Sequence, residues 1–305
     1  MKYALIDMGS NSIRLTVYDL DKTQFKILFR KKIMAELAGF VEEGALTQEG
    51  IDSACRSLRE FKQTLEQLSI DHLTVFATAS LRNISNTEDA LEQIQQATGI
   101  SVEVLSGKME AECGFYGASK DVCVEDGLFV DIGGASTELA LFANGKLENA
   151  GSVPVGSLKL YRDCVKKIMP GKRSRNRIEK AIHKAFEEGS LADLPHQTQM
   201  VGVGGTIRAA LRLCKKLCGL PEDCRSFTRE QLAELTEYLC QNDKASIDLI
   251  LFYEPERIHT LVPGVLLLGY LMDRYGAQTV TVSHYGVREG YLCRKIQPSF
   301  CEEAT

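Results

Sequence analysis

No run of about eighteen apolar residues occurs in the sequence, the least that a membrane-crossing helix needs. The opening MKYALIDMG has no basic segment, apolar stretch or small-residue cleavage site, so no secretory signal is expected and the expectation is a cytoplasmic protein without a membrane partner. Paired C-x-x-C spacing is missing as well. The 10 cysteines lie singly along 305 residues, which points to reduced thiols rather than a disulfide framework. Cys214 and Cys218 stand at i, i+4, and structural thiols are the favoured reading over metal or redox use. No Gly/Ser linker or low-complexity stretch divides the chain. A formal net charge of −5 argues against non-specific nucleic-acid binding by the chain as a whole, and no specific nucleic-acid partner is expected.

What is present suits a large core: 44% hydrophobic and 25% charged residues, in a chain long enough for two domains of about 150 residues each. One charge asymmetry stands out. Residues 159–184 carry ten lysines and arginines, including Lys166, Lys167, Arg173, Arg175 and Arg177, against Asp163 and Glu179 only. Such a run is either a solvated helical face or a track that guides a polyanion.

The apolar patterning is that of an α/β protein. YALIDMG, SIRLTVYDL and QFKILFRKKI read as a three-stranded meander, followed by a long amphipathic helix capped by Thr47. LTVFATAS and VEVLSG read as strands, NTEDALEQIQQATG and KMEAECGFYGAS as helices, so the first half is βββαβαβα. From Gly127 a second meander begins, then helices between Ser157 and Phe186, the strand–helix unit QMVGVGGTIRAALRLCKKLCG, helices near 228–241 and 255–275, and a closing strand and helix. The second half repeats the first with insertions. The expected division is 1–124 and 125–305, with KDVCVED as a hinge and the last helix free to pack back on the first domain.

The repeat is sharpest in two loops, DMGSNSIRL from Asp7 and DIGGASTEL from Asp131. In D-x-G-x-x-S a strand delivers a carboxylate into a tight turn whose glycine admits close approach of a ligand. The backbone amides and hydroxyls of Ser10, Asn11 and Ser12, and of Gly133, Gly134 and Ser136, can bind phosphate oxygens, while Asp7 and Asp131 can hold Mg²⁺. One such loop is a weak signal; two at matching positions predict phosphate gripped from both sides of a cleft between similar domains. A third turn, Gly204-Gly205-Thr206, opens a helix and suits an anion or simply tight packing. The copies differ at one place, Arg14 in the first and Glu138 in the second, and a glutamate there can orient water or assist a metal.

DMGSNSIRL, ATASLRN, SGKMEAECGFYGA, FVDIGGASTEL, SVPVGSLKL, GVGGTIRA and SHYGVREGYL together resemble the exopolyphosphatase / guanosine pentaphosphate phosphohydrolase family of the actin, sugar kinase and Hsp70 superfamily. The resemblance implies duplicated ribonuclease-H-like (actin-like ATPase) domains facing an interdomain cleft. It also implies Mg²⁺-dependent release of terminal phosphate from polyphosphate or from guanosine pentaphosphate. On the matching motifs it places a catalytic glutamate at Glu110, acids at Asp131 and Glu138, and a phosphate clamp at Arg82. Asp7 joins the implied metal set, and Glu138 is implied in both metal and catalytic roles. The chain departs from the family pattern at Met109, where a second glutamate is common, and at Ala135, where a third glycine is common. It resembles the short two-domain members, for which a homodimer stays open. Three readings are carried: exopolyphosphatase, guanosine pentaphosphate phosphohydrolase, and a non-catalytic alarmone or nucleotide sensor on the same fold.

Overall fold

A computed structural model describes residues 1–21, 24–187, 191 and 193–296. Two compact units account for these residues: Met1–Gly107 joined by the chain from Leu292, and Lys108–Tyr291. The units part at Gly107, earlier than the 124/125 division expected from sequence.

In the first unit, β1 (Lys2–Met8), β2 (Ile13–Leu20) and β3 (Phe25–Ile33) form an antiparallel meander. A small hairpin, β4 (Val41–Glu42) and β5 (Ala45–Leu46), leads into helix α1 (Gln48–Gln67). Thr47 caps α1 by accepting from the Gly50 amide at 3.4 Å, satisfying one of the donors that a helix start leaves over. Ile51, Cys55, Leu58, Phe61 and Leu65 recur at helical spacing and are buried, whereas Leu68, next in that series, is the cap residue and half exposed. Then follow β6 (Leu73–Ala77), α2 (Ala79–Arg82), α3 (Thr87–Thr98) and β7 (Glu103–Val104). The run LTVFATAS therefore stops being a strand at Ala77, where Ser80 Oγ donates to the Met8 carbonyl and the chain turns into α2. Sheet order is β3-β2-β1-β6-β7, with β6 and β7 parallel to β1. One face of this sheet, through Ile6, Met8, Leu15 and Val17, packs with Leu58 and Phe61 of α1 in a single apolar cluster.

The second unit opens with α4 (Gly107–Ala118), which starts at the boundary, and repeats the same order. Strands β8 (Gly127–Ile132), β9 (Thr137–Ala143) and β10 (Lys146–Val153) make the meander. Helices α5 (Ser157–Cys164) and α6 (Lys172–Glu187) follow, then β11 (Gln199–Val203) and α7 (Gly204–Cys218). The remainder is β12 (Ser226–Thr228), α8 (Arg229–Gln241), α9 (Lys244–Tyr253), α10 (Leu261–Tyr275), β13 (Thr279–Val282) and α11 (Val287–Tyr291). The sheet runs β10-β9-β8-β11-β13-β12; its first five members repeat the order of the first sheet, and β12 is an antiparallel addition. Strand β12 and helix α9 were not expected from sequence. Helix α9 hides its periodicity because Leu251 and Phe252, at its apolar end, are exposed rather than buried.

Helices cover both faces of the second sheet. Leu128, Val130 and Ile132 face the larger core with α6, α7 and α10, while Phe129, Ala140 and Phe142 face Ala111, Phe115 and Ala118 of α4. Glycines bring α4 close: a Cβ on Gly114 would overlap the Phe129 ring, one on Gly117 the backbone of Gly286, and one on Gly290 the carbonyl of Cys113. Backbone cannot yield as a flexible side chain does. Gly117→Ala is therefore expected to lower Tm although alanine favours a helix over glycine by about 1 kcal/mol. Gly269→Ala in α10, whose added Cβ meets nothing within 4 Å, is expected to hold or raise it. Thermal melts of the two variants beside the parent check this, and a stable Gly117→Ala would remove the close-packing account of α4.

Candidate phosphate-handling site

Each unit turns its first hairpin with the same hydrogen bond: Gly9 N donates to Ser12 O at 3.1 Å, and Gly133 N to Ser136 O at 3.0 Å. What lies behind each turn is also repeated. In the first, the carbonyls of Ser10 and Asn11 accept from the amides of Ala38 (2.9 Å) and Glu36 (3.0 Å). In the second, the carbonyl of Gly133 accepts from Ser157 N (3.0 Å), and that of Gly134 from Leu158 and Lys159 N (2.9 Å each), at the start of α5. A trans peptide points its N–H opposite to its C=O. Tying these carbonyls back therefore aims the amides of Asn11 and Ser12, and of Gly134 and Ala135, out of the turn, as an anion-binding nest requires. Among the described residues no backbone acceptor takes the amides of Gly134 or Ala135. Gly156 makes the second arrangement feasible, since a Cβ there would sit 2.6 Å from the Gly134 carbonyl.

Register then fixes which side chains share a face. Asp131 is directly opposite Glu138, and Glu138 opposite Ser152, so the three stand in one row across β8, β9 and β10. Glu138 is 1% exposed, and Ser152 Oγ donates to its Oε1 at 2.7 Å; a buried carboxylate needs such donors to remain charged. The matching row of the first unit is Asp7, Arg14 and Lys32. Arg14 Nε donates to Ser12 Oγ at 3.1 Å, which reaches the hydroxyl of the turn itself. Ser10, Ser12 and Ser136 are all buried.

The third turn lies on β8's neighbour. Val203 pairs with Asp131 in register, and Gly204 follows in the left-handed region at φ +89°, against the Asp131 carboxylate. No Cβ would fit there, so the first amides of α7 come next to Asp131. Gly205 is occupied from outside by the Arg257 guanidinium, which any side chain at 205 would displace. Arg257 Nε is paired with Glu254 at 3.5 Å, and Glu254 also holds Arg212 at 2.7 Å. Sequence reasoning missed Arg257; its signal was the second glycine, a gap that something must fill. Thr206, expected as a phosphate ligand, is 2% exposed with its side chain against Gly264 of α10.

Glu110 lies in the first turn of α4 and is 7% exposed. Gly114 and Gly117 follow it at i+4 and i+7, so it belongs to the stripe of α4 that rests on the sheet face carrying Asp131 and Glu138. Among the described residues no three acidic, histidine or cysteine side chains form a ligand set. Two carboxylates suit Mg²⁺, which keeps several waters and takes one or two protein carboxylates along with substrate phosphates. Arg82, half-buried in the first unit, donates through Nη1 to the Leu105 carbonyl at 3.0 Å.

Several other polar side chains of the second unit hold the fold together. Arg175 donates to the carbonyls of Pro170 and Cys240, and Arg177 to that of Cys164, so these two arginines of the basic run fasten loops. Burial pushes the Cys214 thiol up to about 12, and Cys218 is raised by burial and by Glu234, which keeps both protonated. Glu289 caps its own turn by accepting from Gly286 N at 3.0 Å. Past the end of α4, Asp121 accepts from Arg225, from Ser283 Oγ (3.0 Å) and from His284 N (2.7 Å).

Comparison with known proteins agrees with this architecture. The profile of the Ppx/GppA phosphatase family matches residues 16–298, and the chain belongs to that family. Exopolyphosphatase 1 of Mycobacterium tuberculosis is 25% identical, over 97% of this chain and 88% of its own. The crystal structure of an exopolyphosphatase from Cytophaga hutchinsonii superposes with a TM-score of 0.84 at 23% identity, covering 98% of both chains. A Ppx/GppA family member from Aquifex aeolicus does so with a TM-score of 0.79 at 22% identity, covering 100% of this chain and 99% of that one. At these identities the structures establish the shared fold.

The Asp121 junction gives a pH test. Burial works to raise the Asp121 carboxyl, but the Arg225 guanidinium, the His284 amide and the Ser283 hydroxyl outweigh it and hold it below the usual value. Its contribution to stability is then complete above the unfolded value of about 3.9 and is lost as pH falls through the lower native one. Asp121→Asn is expected to melt lower than the parent at pH 7, with the gap closing below about pH 4. Melting curves from pH 3 to 8 check it; a gap that does not change with pH would show that the charge contributes nothing.

Proposed function

We propose that the protein hydrolyses the terminal phosphoanhydride bond of inorganic polyphosphate and releases orthophosphate. The observation that carries this reading is the tied-back turn, present twice and accompanied in the second unit by the Asp131–Glu138 row. Hydrolysis of this kind asks little covalent chemistry of a protein. It asks for a phosphoryl group held in line with water and for neutralisation of the charge that spreads over its oxygens. The outward amides of Asn11, Ser12, Gly134 and Ala135, and the start of α7, are assigned to the phosphate oxygens, with Arg82 as a clamp. Asp131 and Glu138 are the residues that would hold Mg²⁺, with Asp7 as the equivalent carboxylate of the first unit. When bound, the ion would supply a local positive charge for the leaving oxygens. Glu110 is assigned to orient the attacking water or take its proton. No cysteine or serine nucleophile is called for, and the raised thiols of Cys214 and Cys218 agree with that.

Guanosine pentaphosphate is the second reading. Its terminal phosphate asks the same chemistry, and the commitment of Arg175 and Arg177 to carbonyls weakens the case that residues 159–184 track a long polymer. Orthophosphate release from long polyphosphate, triphosphate and guanosine pentaphosphate, measured side by side with Mg²⁺, ranks the two; tight binding without release would make the chain a sensor.

Two substitutions test the assignments. Glu110→Gln keeps size and loses the base, so kcat is expected to fall by about 10² or more with KM little changed. Turnover close to the parent's would end that assignment. Glu138→Gln removes a charge from the ion's site and should lower activity while shifting the Mg²⁺ titration to higher concentration. An unshifted titration would take Glu138 out of the metal shell.

A further inference from the structure

Strand β10 slips its register against β9 by one residue. Lys146 and Leu147 lie opposite Ala143 and Phe142, but Asn149 lies opposite Leu141, which makes Glu148 the extra residue of a β-bulge. Beyond the bulge the pairing is regular: Ala150 with Ala140, Gly151 with Leu139, Ser152 with Glu138. Without the extra residue Gly151 would stand opposite Glu138, and Ser152 would pass to the other face of the sheet. The bulge thus selects a hydroxyl as the neighbour of a buried acid.

The other neighbour of Glu138 in that row is Asp131. Carboxylates directly opposite one another on adjacent strands repel. Here they are drawn apart: Asp131 lies against Gly204, which follows β11 on the far side of β8, while Glu138 Oε1 is held from the β10 side by Ser152 Oγ at 2.7 Å. A serine hydroxyl is a neutral donor. It fixes the direction of a carboxylate without adding a positive charge that would compete with a cation for it.

We infer that Ser152 is a positioning residue: brought into the row by the bulge at Glu148, its hydroxyl fixes which way the Glu138 carboxylate faces, and thereby sets the affinity of the site for a divalent cation. The ligand is a hard cation that takes oxygen donors. The inference rests on the assignment of Glu138 to that ion in the reading above. Ser152 acts through Glu138 and has no contact of its own with the substrate. It is half-buried, which leaves room for the added methyl group of threonine at this position.

The test is binding of Mn²⁺ alone to the full chain, followed by the paramagnetic resonance signal of the free ion; Mn²⁺ takes the same oxygen donors as Mg²⁺. Ser152→Ala removes the hydroxyl, and Ser152→Thr keeps it on a branched side chain that suits a strand. Ser152→Ala should raise Kd for Mn²⁺ on the order of tenfold, and Ser152→Thr should stay within about twofold of the parent. Polyphosphate turnover should divide in the same way, with kcat lowered in Ser152→Ala and KM little changed, because the hydroxyl touches the ligand of the ion and not the polymer. A serine that only held the strands together would leave Mn²⁺ affinity unmoved. Parent affinity in Ser152→Ala therefore overturns the inference, and so do equal losses in Ser152→Ala and Ser152→Thr, which would assign the effect to packing. A parent that binds no Mn²⁺ overturns it too, since Glu138 then holds no ion to be positioned. Orthophosphate release by the parent is measured alongside. A parent that binds Mn²⁺ with this dependence on the hydroxyl but releases no phosphate removes the hydrolase reading and leaves Ser152 in its role.

Discussion

Everything in the candidate site depends on a few hydrogen bonds made behind two hairpin turns. A four-residue turn left to itself has no reason to present its amides in one direction. Here the carbonyls of Ser10 and Asn11 are held by residues 36–38, and those of Gly133 and Gly134 by the first amides of α5. These bonds also satisfy helix-start donors that would otherwise need caps, so one set of contacts completes the fold and aims the site. Gly156 is the hinge of the second set, because α5 can approach the turn only where no Cβ intervenes.

Much of this was legible in the sequence because it is written twice. Strand alternation, the Thr47 cap and the left-handed stop at Gly99 gave most elements of the first unit, and the repeated D-x-G-x-x-S gave the register. Less legible were features that depend on distant partners. Arg257 fills the space over Gly205 from about fifty residues away in sequence, and no local pattern announces it. The basic run at 159–184 read as one surface, yet Arg175 and Arg177 are engaged with carbonyls that only the folded chain brings near. The boundary at Gly107 was hidden for the same reason: α4 belongs with the second sheet because Gly114 lets it rest on Phe129, a contact that sequence spacing does not reveal.

Three acids of the second unit sit in different surroundings. Glu138 is enclosed, with a serine donor across the strand, while Glu110 stands at the start of a helix, where the helix dipole favours negative charge. Asp121, by contrast, is occupied by an arginine, an amide and a hydroxyl, and serves to fasten the chain after α4 to the end of β13.

The row that holds Arg14 in one unit and Glu138 in the other bears on how such a protein diversifies. In both copies the turn is closed by the same backbone bond and fastened by carbonyls, and neither interaction involves the side chain two residues past the turn. The backbone of the hairpin is closed in the same way whether an arginine or a glutamate stands there, and each makes its own hydrogen bond, Arg14 to Ser12 and Glu138 with Ser152. A duplicated hairpin can thus carry a base in one copy and an acid in the other while the backbone geometry of the turn is kept.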